Sequence, residues 1–197
     1  IGAAQTSAPM LLFLNPDTEV TPGALRAMLA VSERHPHCGI FGGRLSDADR
    51  QIERSVGAFP TLTSLAIDRL LAALSMLRPL LDHHSQRHYL RYDIERQVAW
   101  TTGAYLWIRR DVFDALEGWD SEIFMYGEDA DLCYRSHKLG RPVLYTPDSQ
   151  AFHYHNKVPL DRTRRKRLLR EGLTLFARKH YGPLRARAYR RVLGWLW

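Results

Sequence analysis

Short apolar runs separated by turn chemistry alternate along this chain with apolar stripes at helical spacing. Met10–Leu14 (MLLFL) is a continuous apolar run of strand length that stops at Asn15-Pro16-Asp17, the pattern of a buried parallel strand followed by a turn. Thr21-Pro22-Gly23 then opens a segment with Leu25, Met28, Leu29 and Val31 at helical spacing, with Thr21 as N-cap and Pro22 as the first helical residue. Residues 38–45 (CGIFGGRL) predict a second strand, 46–49 a turn, and 55–63 a loop and strand. The segment 63–81 is strongly apolar, but Asp68, Arg69, Arg78 and Pro79 break it. It is therefore no membrane span, and a core helix or a helix lying on a membrane surface both remain open.

Residues 98–110 predict a turn at Gly103 and a strand ending in Arg109-Arg110; a short helix from Asp111 stops near Gly118. In 124–135 (FMYGEDADLCYR), Glu128, Asp129 and Asp131 fall in the first turn of a helix that Gly140 ends. Val143–Tyr145 reads as a strand, Pro147-Asp148 as a turn, and 151–155 as a further strand on which His153 and His155 share a face. From Lys157 onward, two apolar stripes run among arginines, one through Leu168, Leu173 and Phe176 and one through Leu184, Tyr189 and Leu193.

Composition sharpens this picture at a few points. The 197 residues, 45% of them hydrophobic, are enough for one domain with a tail. The net charge of +7 is uneven: residues 157–197 hold 13 Lys/Arg against 2 acids, and residues 1–156 hold 15 against 19. This speaks against a body-wide nucleic-acid surface and for a tail that meets something anionic. Its basic faces and terminal tryptophans suit a membrane surface, and a soluble helix packing on the body with a solvated basic face is the competing reading. Cys38 and Cys133 form no metal-ligand spacing and no disulfide framework, which fits a reduced, intracellular setting. His83, His84 and His88 read as loop histidines without partner ligands. Taken singly, the acids have ordinary explanations. Acidic residues in a first turn complement the helix dipole, Asp131–Arg135 is an i,i+4 pair, and Asp17 is a turn aspartate. An acid at the carboxyl end of a strand is also where α/β sheets place ligands.

Taken together, four stretches in one order carry more: LLFLNPDT (11–18), TTGAYLWIRRDVF (101–113), GWDSEIFMYGEDADLCYR (118–135) and LYTPDSQAFHYH (144–155). The series resembles the second half of a glycosyltransferase family 2 domain, of the rhamnosyltransferase-like kind that builds bacterial surface polysaccharides. The resemblance implies a GT-A fold, an α/β structure with a mixed, mainly parallel sheet and flanking helices, over residues 1–156, with 157–197 as a basic helical tail. It implies a divalent cation, Mg²⁺ or Mn²⁺, held by Asp17 and His153, with His155 the less favoured alternative. Asn15 stands where the first acid of the D-x-D motif is expected. Asp129 is implied as catalytic base with Glu128 beside it, and Gly103, Trp119, Asp120 and Asp131 as parts of the acceptor site. The implied reaction moves a sugar, with inversion, from a nucleotide-sugar donor such as dTDP-rhamnose to a lipid-linked or polysaccharide acceptor. It would take place at the cytoplasmic face of the cell membrane, with no specific nucleic acid as partner. Upstream of Ile1 the resemblance expects a donor-binding first half. On that expectation the chain is a carboxyl-terminal part, and a non-catalytic glycan- or membrane-binding remnant is the alternative reading.

Overall fold

In the computed structural model, which describes residues 2–63, 91–154 and 161–196, one long strand organises the main sheet. This is β8 (Val143–His153). In chain order it follows β1 (Met10–Leu14), β2 (Thr18–Val20), α1 (Ala24–Arg34), β3 (Ile40–Ser46), β4 (Val56–Gly57), β5 (Arg96–Val98), β6 (Trp100–Thr101), β7 (Tyr105–Arg109), α2 (Arg110–Ala115) and α3 (Glu128–Lys138). Two helices, α4 (Arg162–Tyr181) and α5 (Pro183–Leu196), come after it. The sheet order is β1-β7-β3-β8-β2, with β5 also paired to β8, while β4 and β6 form a separate two-stranded ribbon.

The sheet is mixed, but the expectation that it is mainly parallel needs correcting. Among the described strands only β3 and β8 run parallel; β1–β7, β3–β7, β2–β8 and β5–β8 are antiparallel. The apolar run of β1 reports burial on both faces rather than strand direction. Met10 and Leu12 pack on one side against the cluster of Met28, Val31, Phe41, Tyr105 and Trp107. Phe13 points the other way, onto Phe113 of α2 with ring centroids 5.2 Å apart.

Two local expectations also change. The helix after Thr21 starts at Ala24, preceded by Gly23 at φ 84°. Thr21 does not cap it, because both its N–H and its Oγ1 bond the Gln150 carbonyl of β8, at 3.1 and 3.0 Å. Val143–Tyr145 and 151–153 are one strand rather than two. Pairing with β3 jumps from Gly43↔Thr146 to Arg44↔Gln150, so Pro147–Ser149 bulge out of a continuous ladder. A Cβ on Gly43 would lie 2.5 Å from the Ser149 carbonyl and from the Tyr105 ring, so the bulge needs a glycine there. The Ser149 hydroxyl is buried between the Tyr105 hydroxyl at 2.7 Å and the Ala24 carbonyl, to which it donates at 2.9 Å.

The chain divides into two compact units, the first made of 1–57, 92–120 and 129–156. The second draws its described residues from 58–91, 121–128 and 157–197, so the basic tail belongs to a packed unit with earlier segments. There α4 and α5 form a hairpin at Gly182 (φ 85°), packing Ala177, Ala186, Tyr189 and Leu193 together with Leu62, Leu173 and Tyr181. Phe176 stacks on Phe59 at 6.3 Å, and Lys179 pairs with Glu122 at 2.8 Å. Gly172 of α4 lies against the Met125 and Tyr126 carbonyls, so closely that a Cβ would stand 1.9 Å from the Tyr126 oxygen. The apolar stripes of the tail are used in this packing, while Arg164, Arg165, Lys166, Arg167 and Arg170 on α4 and Arg185, Arg187, Arg190 and Arg191 on α5 remain exposed. No described helix is long and apolar enough to cross a membrane. The apolar segment from residue 64, the histidines at 83, 84 and 88, and His155 lie outside the described residues.

Candidate active site

Asp17 and His153 are 136 positions apart in sequence, and β2 brings them together. Thr18 is in register with His153, and the Tyr154 N–H donates to the Asp17 carbonyl at 2.9 Å. The Asp17 carboxylate then lies 3.3 Å from His153 Nε2, and the Asn15 amide 3.5 Å from the same nitrogen. A second acid, absent from the sequence expectations, completes the group: Glu53 Oε2 lies 3.1 Å from His153 Nδ1. Glu53 arrives through a turn in which the Asp47 carboxylate accepts the Asp49 and Gln51 N–H groups, at 3.0 and 2.8 Å. The Glu53 N–H then donates back to the Leu45 carbonyl at 2.9 Å. All three side chains of the group are mostly shielded, with exposures of 17% for Asp17, 16% for Glu53 and 12% for His153.

The donor chemistry fits a hard divalent cation beside Nε2, where a carboxylate and an imidazole nitrogen meet with a second carboxylate behind the ring. Asp17 and His153 Nε2 would hold the ion. Glu53, on the opposite ring nitrogen, orients the imidazole by accepting the Nδ1 proton, which leaves the Nε2 lone pair for the metal.

The second group forms at the head of α3. Asp129 Oδ1 accepts the Ala130 N–H at 2.7 Å, and Oδ2 accepts the Gly103 N–H at 3.3 Å. Among the described residues no ion pair reaches this carboxylate. Burial pushes its pKa upward, and backbone N–H groups, those of Ala130, Gly103 and Asp129 itself, pull the other way. The residue is half-buried and keeps some surface open to solvent. Trp119, half-buried, packs edge-on against Phe13 at 5.0 Å. A Cβ added to Gly103 would lie 3.7 Å from the Trp119 ring and 3.9 Å from the Asp129 Cβ, which are ordinary contacts. What Gly103 gives Asp129 is therefore its N–H rather than space. Asp120 follows Trp119 and is half-buried too. Glu128 opens α3, with its Oε2 turned fully inside.

Asp131 takes a different part from the one expected at an acceptor site. It is fully buried, and its carboxylate accepts from Arg135 Nε at 2.7 Å. Arg135 goes on to donate to the Leu116 and Gly118 carbonyls at 2.7 and 2.9 Å, fastening α3 to the end of α2. The two acid groups are joined by one turn of chain. Gly103 N–H reaches Asp129, and the next carbonyl, Ala104, accepts from Asn15 N–H at 3.1 Å at the start of the Asp17 turn.

Comparison with known proteins reaches the same family as the motifs. Residues 2–174 match the model of the glycosyltransferase like family 2. Two N-acetylglucosaminyl-diphospho-decaprenol L-rhamnosyltransferases, from Mycobacterium tuberculosis strains CDC 1551 and H37Rv, are 30% identical over 144 residues, 73% of this chain and 46% of theirs. The rhamnosyltransferase WbbL of Escherichia coli K12 is 27% identical over 145 residues, 73% of this chain and 52% of its own. The chain thus spans about half the length of these curated relatives. Among solved structures, GalNAc-T7 with UDP, GalNAc and Mn²⁺ superposes with a TM-score of 0.53 at 14% identity, covering 98% of this chain and 39% of that one. That likeness is one of fold. The family match starts at Gly2 and lends no support to the expected absence of a first half.

Proposed function

This chain belongs to the glycosyltransferase like family 2, and from that premise we propose that it carries the cation and base groups of an inverting sugar transfer. The observation that carries the reading is the juxtaposition just described. A half-buried Asp129 carboxylate, which no ion pair reaches among the described residues, is joined through Gly103 and Ala104 to the Asp17–His153–Glu53 group. Asp129 takes the proton of the acceptor hydroxyl as that oxygen bonds to the anomeric carbon from one face. The bond from that carbon to the diphosphate breaks on the opposite face, which inverts the centre. A carboxylate whose pKa is raised by burial is a better base near neutrality than an ordinary one, provided it is ionised. A hard divalent cation, when bound, stabilises negative charge on the departing nucleoside diphosphate. Trp119 offers an aromatic face to a sugar ring beside the base, with Asp120 next to it in the chain.

The substrates are inferred from the relatives. The rhamnosyltransferases support an L-rhamnose nucleotide as donor and a polyprenyl-diphosphate-linked sugar as acceptor. The exposed arginines of α4 and α5 support peripheral binding to the anionic cytoplasmic face of a membrane. The test is calorimetric titration with dTDP and UDP, with and without Mn²⁺, on the chain and on Asp17→Ala. Nucleotide binding that needs Mn²⁺ and is lost in the variant is the expected result. Binding indifferent to both would overturn the cation assignment. No binding under any condition would favour the glycan- or membrane-binding remnant.

A further inference from the structure

Away from the acid groups, the turn between α1 and β3 brings together three metal-ligating side chains in four residues. His35, His37 and Cys38 place a ring nitrogen each and the thiol sulfur within 4.8 Å of one another. The cysteines carry no metal spacing when weighed against each other in sequence. The turn supplies it instead from neighbouring histidines, because the Cys38 N–H folds back to the His35 carbonyl at 3.1 Å. Cys38 is fully buried and unbridged, His35 half-buried and His37 exposed, so the set opens from the protein interior to solvent.

Two further features make this a prepared arrangement. The first is the Glu95 carboxylate, 2.6 Å from His35 Nε2 and itself paired with Arg34 at 3.1 Å. A carboxylate on one imidazole nitrogen fixes the ring and leaves the other nitrogen's lone pair for a metal, the usual support of a metal-binding histidine. The second is Arg109, whose guanidinium donates to the backbone carbonyls of Ser32 at 2.5 Å, Cys38 at 2.8 Å and His35 at 3.3 Å. It clamps the turn and so lowers the cost of ordering the ligands on binding.

We infer that the 35–38 turn is a binding site for a borderline-soft divalent transition ion of the Zn²⁺ class, held by His35, His37 and Cys38 with Glu95 behind His35. Tetrahedral Zn²⁺ has bonds of about 2.0–2.3 Å, which puts ligand atoms roughly 3.5 Å apart. The three atoms therefore need to close by about 1 Å, which side-chain rotation supplies. As the metal–sulfur bond forms, the thiol proton leaves to solvent, and a water completes the fourth position. The two sites then sort ions by hardness, thiolate sulfur with two imidazoles here against the Asp17 carboxylate with one imidazole at the other.

The experiment is titration of the whole chain with Co²⁺ as a spectroscopic stand-in, in excess Mg²⁺ to occupy hard sites, followed by displacement with Zn²⁺. The expected result is one equivalent bound with a thiolate-to-cobalt charge-transfer band that Zn²⁺ removes. His37→Ala, an exposed change that leaves the fold intact, should weaken binding at least about tenfold, and Cys38→Ala should abolish the band. Absence of the band overturns the inference, as does a band that survives Cys38→Ala or an affinity unchanged in His37→Ala. Co²⁺ binding that is lost in Asp17→Ala and unchanged in His37→Ala would assign the ion to the other site and overturn it equally.

Discussion

Asp129 and Asp131 stand two residues apart on α3, and the structure treats their charges in opposite ways. On the Asp131 side, a fully buried carboxylate meets a guanidinium at 2.7 Å, and that guanidinium is in turn bonded to two carbonyls at the end of α2. On the Asp129 side, the carboxylate is held by neutral backbone N–H groups, no cation reaches it among the described residues, and burial pushes its pKa upward. A buried charge with a partner holds the helix in place. One without a cation is costly to keep ionised and correspondingly ready to accept a proton. The pair shows why acidity in a helix's first turn says little by itself about role.

The largest expected effect tests the Asp129 side. Asp129→Asn should lower transfer by about 10²–10⁴-fold in an assay with a nucleotide-rhamnose donor, and its melting temperature at neutral pH should not fall below the parent's. Asp131→Ala reverses the pattern. It leaves Arg135 without its counter-ion and should cost about 3 kcal/mol in urea unfolding. If both variants lost stability alike, the contrast between the two aspartates would disappear.

Glu53→Gln sharpens the comparison from the metal side. It keeps the size of the side chain but weakens its hold on His153 Nδ1, and should reduce Mn²⁺ affinity about 10–100-fold by calorimetry or electron paramagnetic resonance, with stability nearly unchanged. The smallest effect is one of linkage. Because the folded pKa of Asp129 lies above its ordinary value, folding is favoured while that carboxyl is protonated. This contribution is full below the ordinary value and fades as pH rises through the folded one. The parent should therefore lose stability relative to Asp129→Asn across that window, read as a growing gap between their denaturation midpoints.

What the sequence made legible was local. The start of α3 at Glu128, its stop before Gly140 (φ 75°) and the Asp131–Arg135 pair depend on residues within a few positions, and all are present. What it hid was pairing. β2 is three residues long, too short for a periodic signal, yet its register with β8 is what sets Asp17 beside His153. Glu53 reaches the same histidine from exactly 100 positions away, through a turn and the β3–β8 ladder. The antiparallel course of β1 was hidden for a related reason: burial on both faces gives the same apolar run in either direction.

The measurement that bears most directly on the central claim is the titration of Asp129 itself, followed by ¹³C NMR of its carboxyl carbon beside the pH dependence of kcat/KM. The account predicts a midpoint above the ordinary aspartate value, with activity falling on the acid side at that same pH and the limb missing in Asp129→Asn. A carboxyl that titrates at or below the ordinary value, or an acid limb unrelated to it, would contradict the assignment of Asp129 as the base.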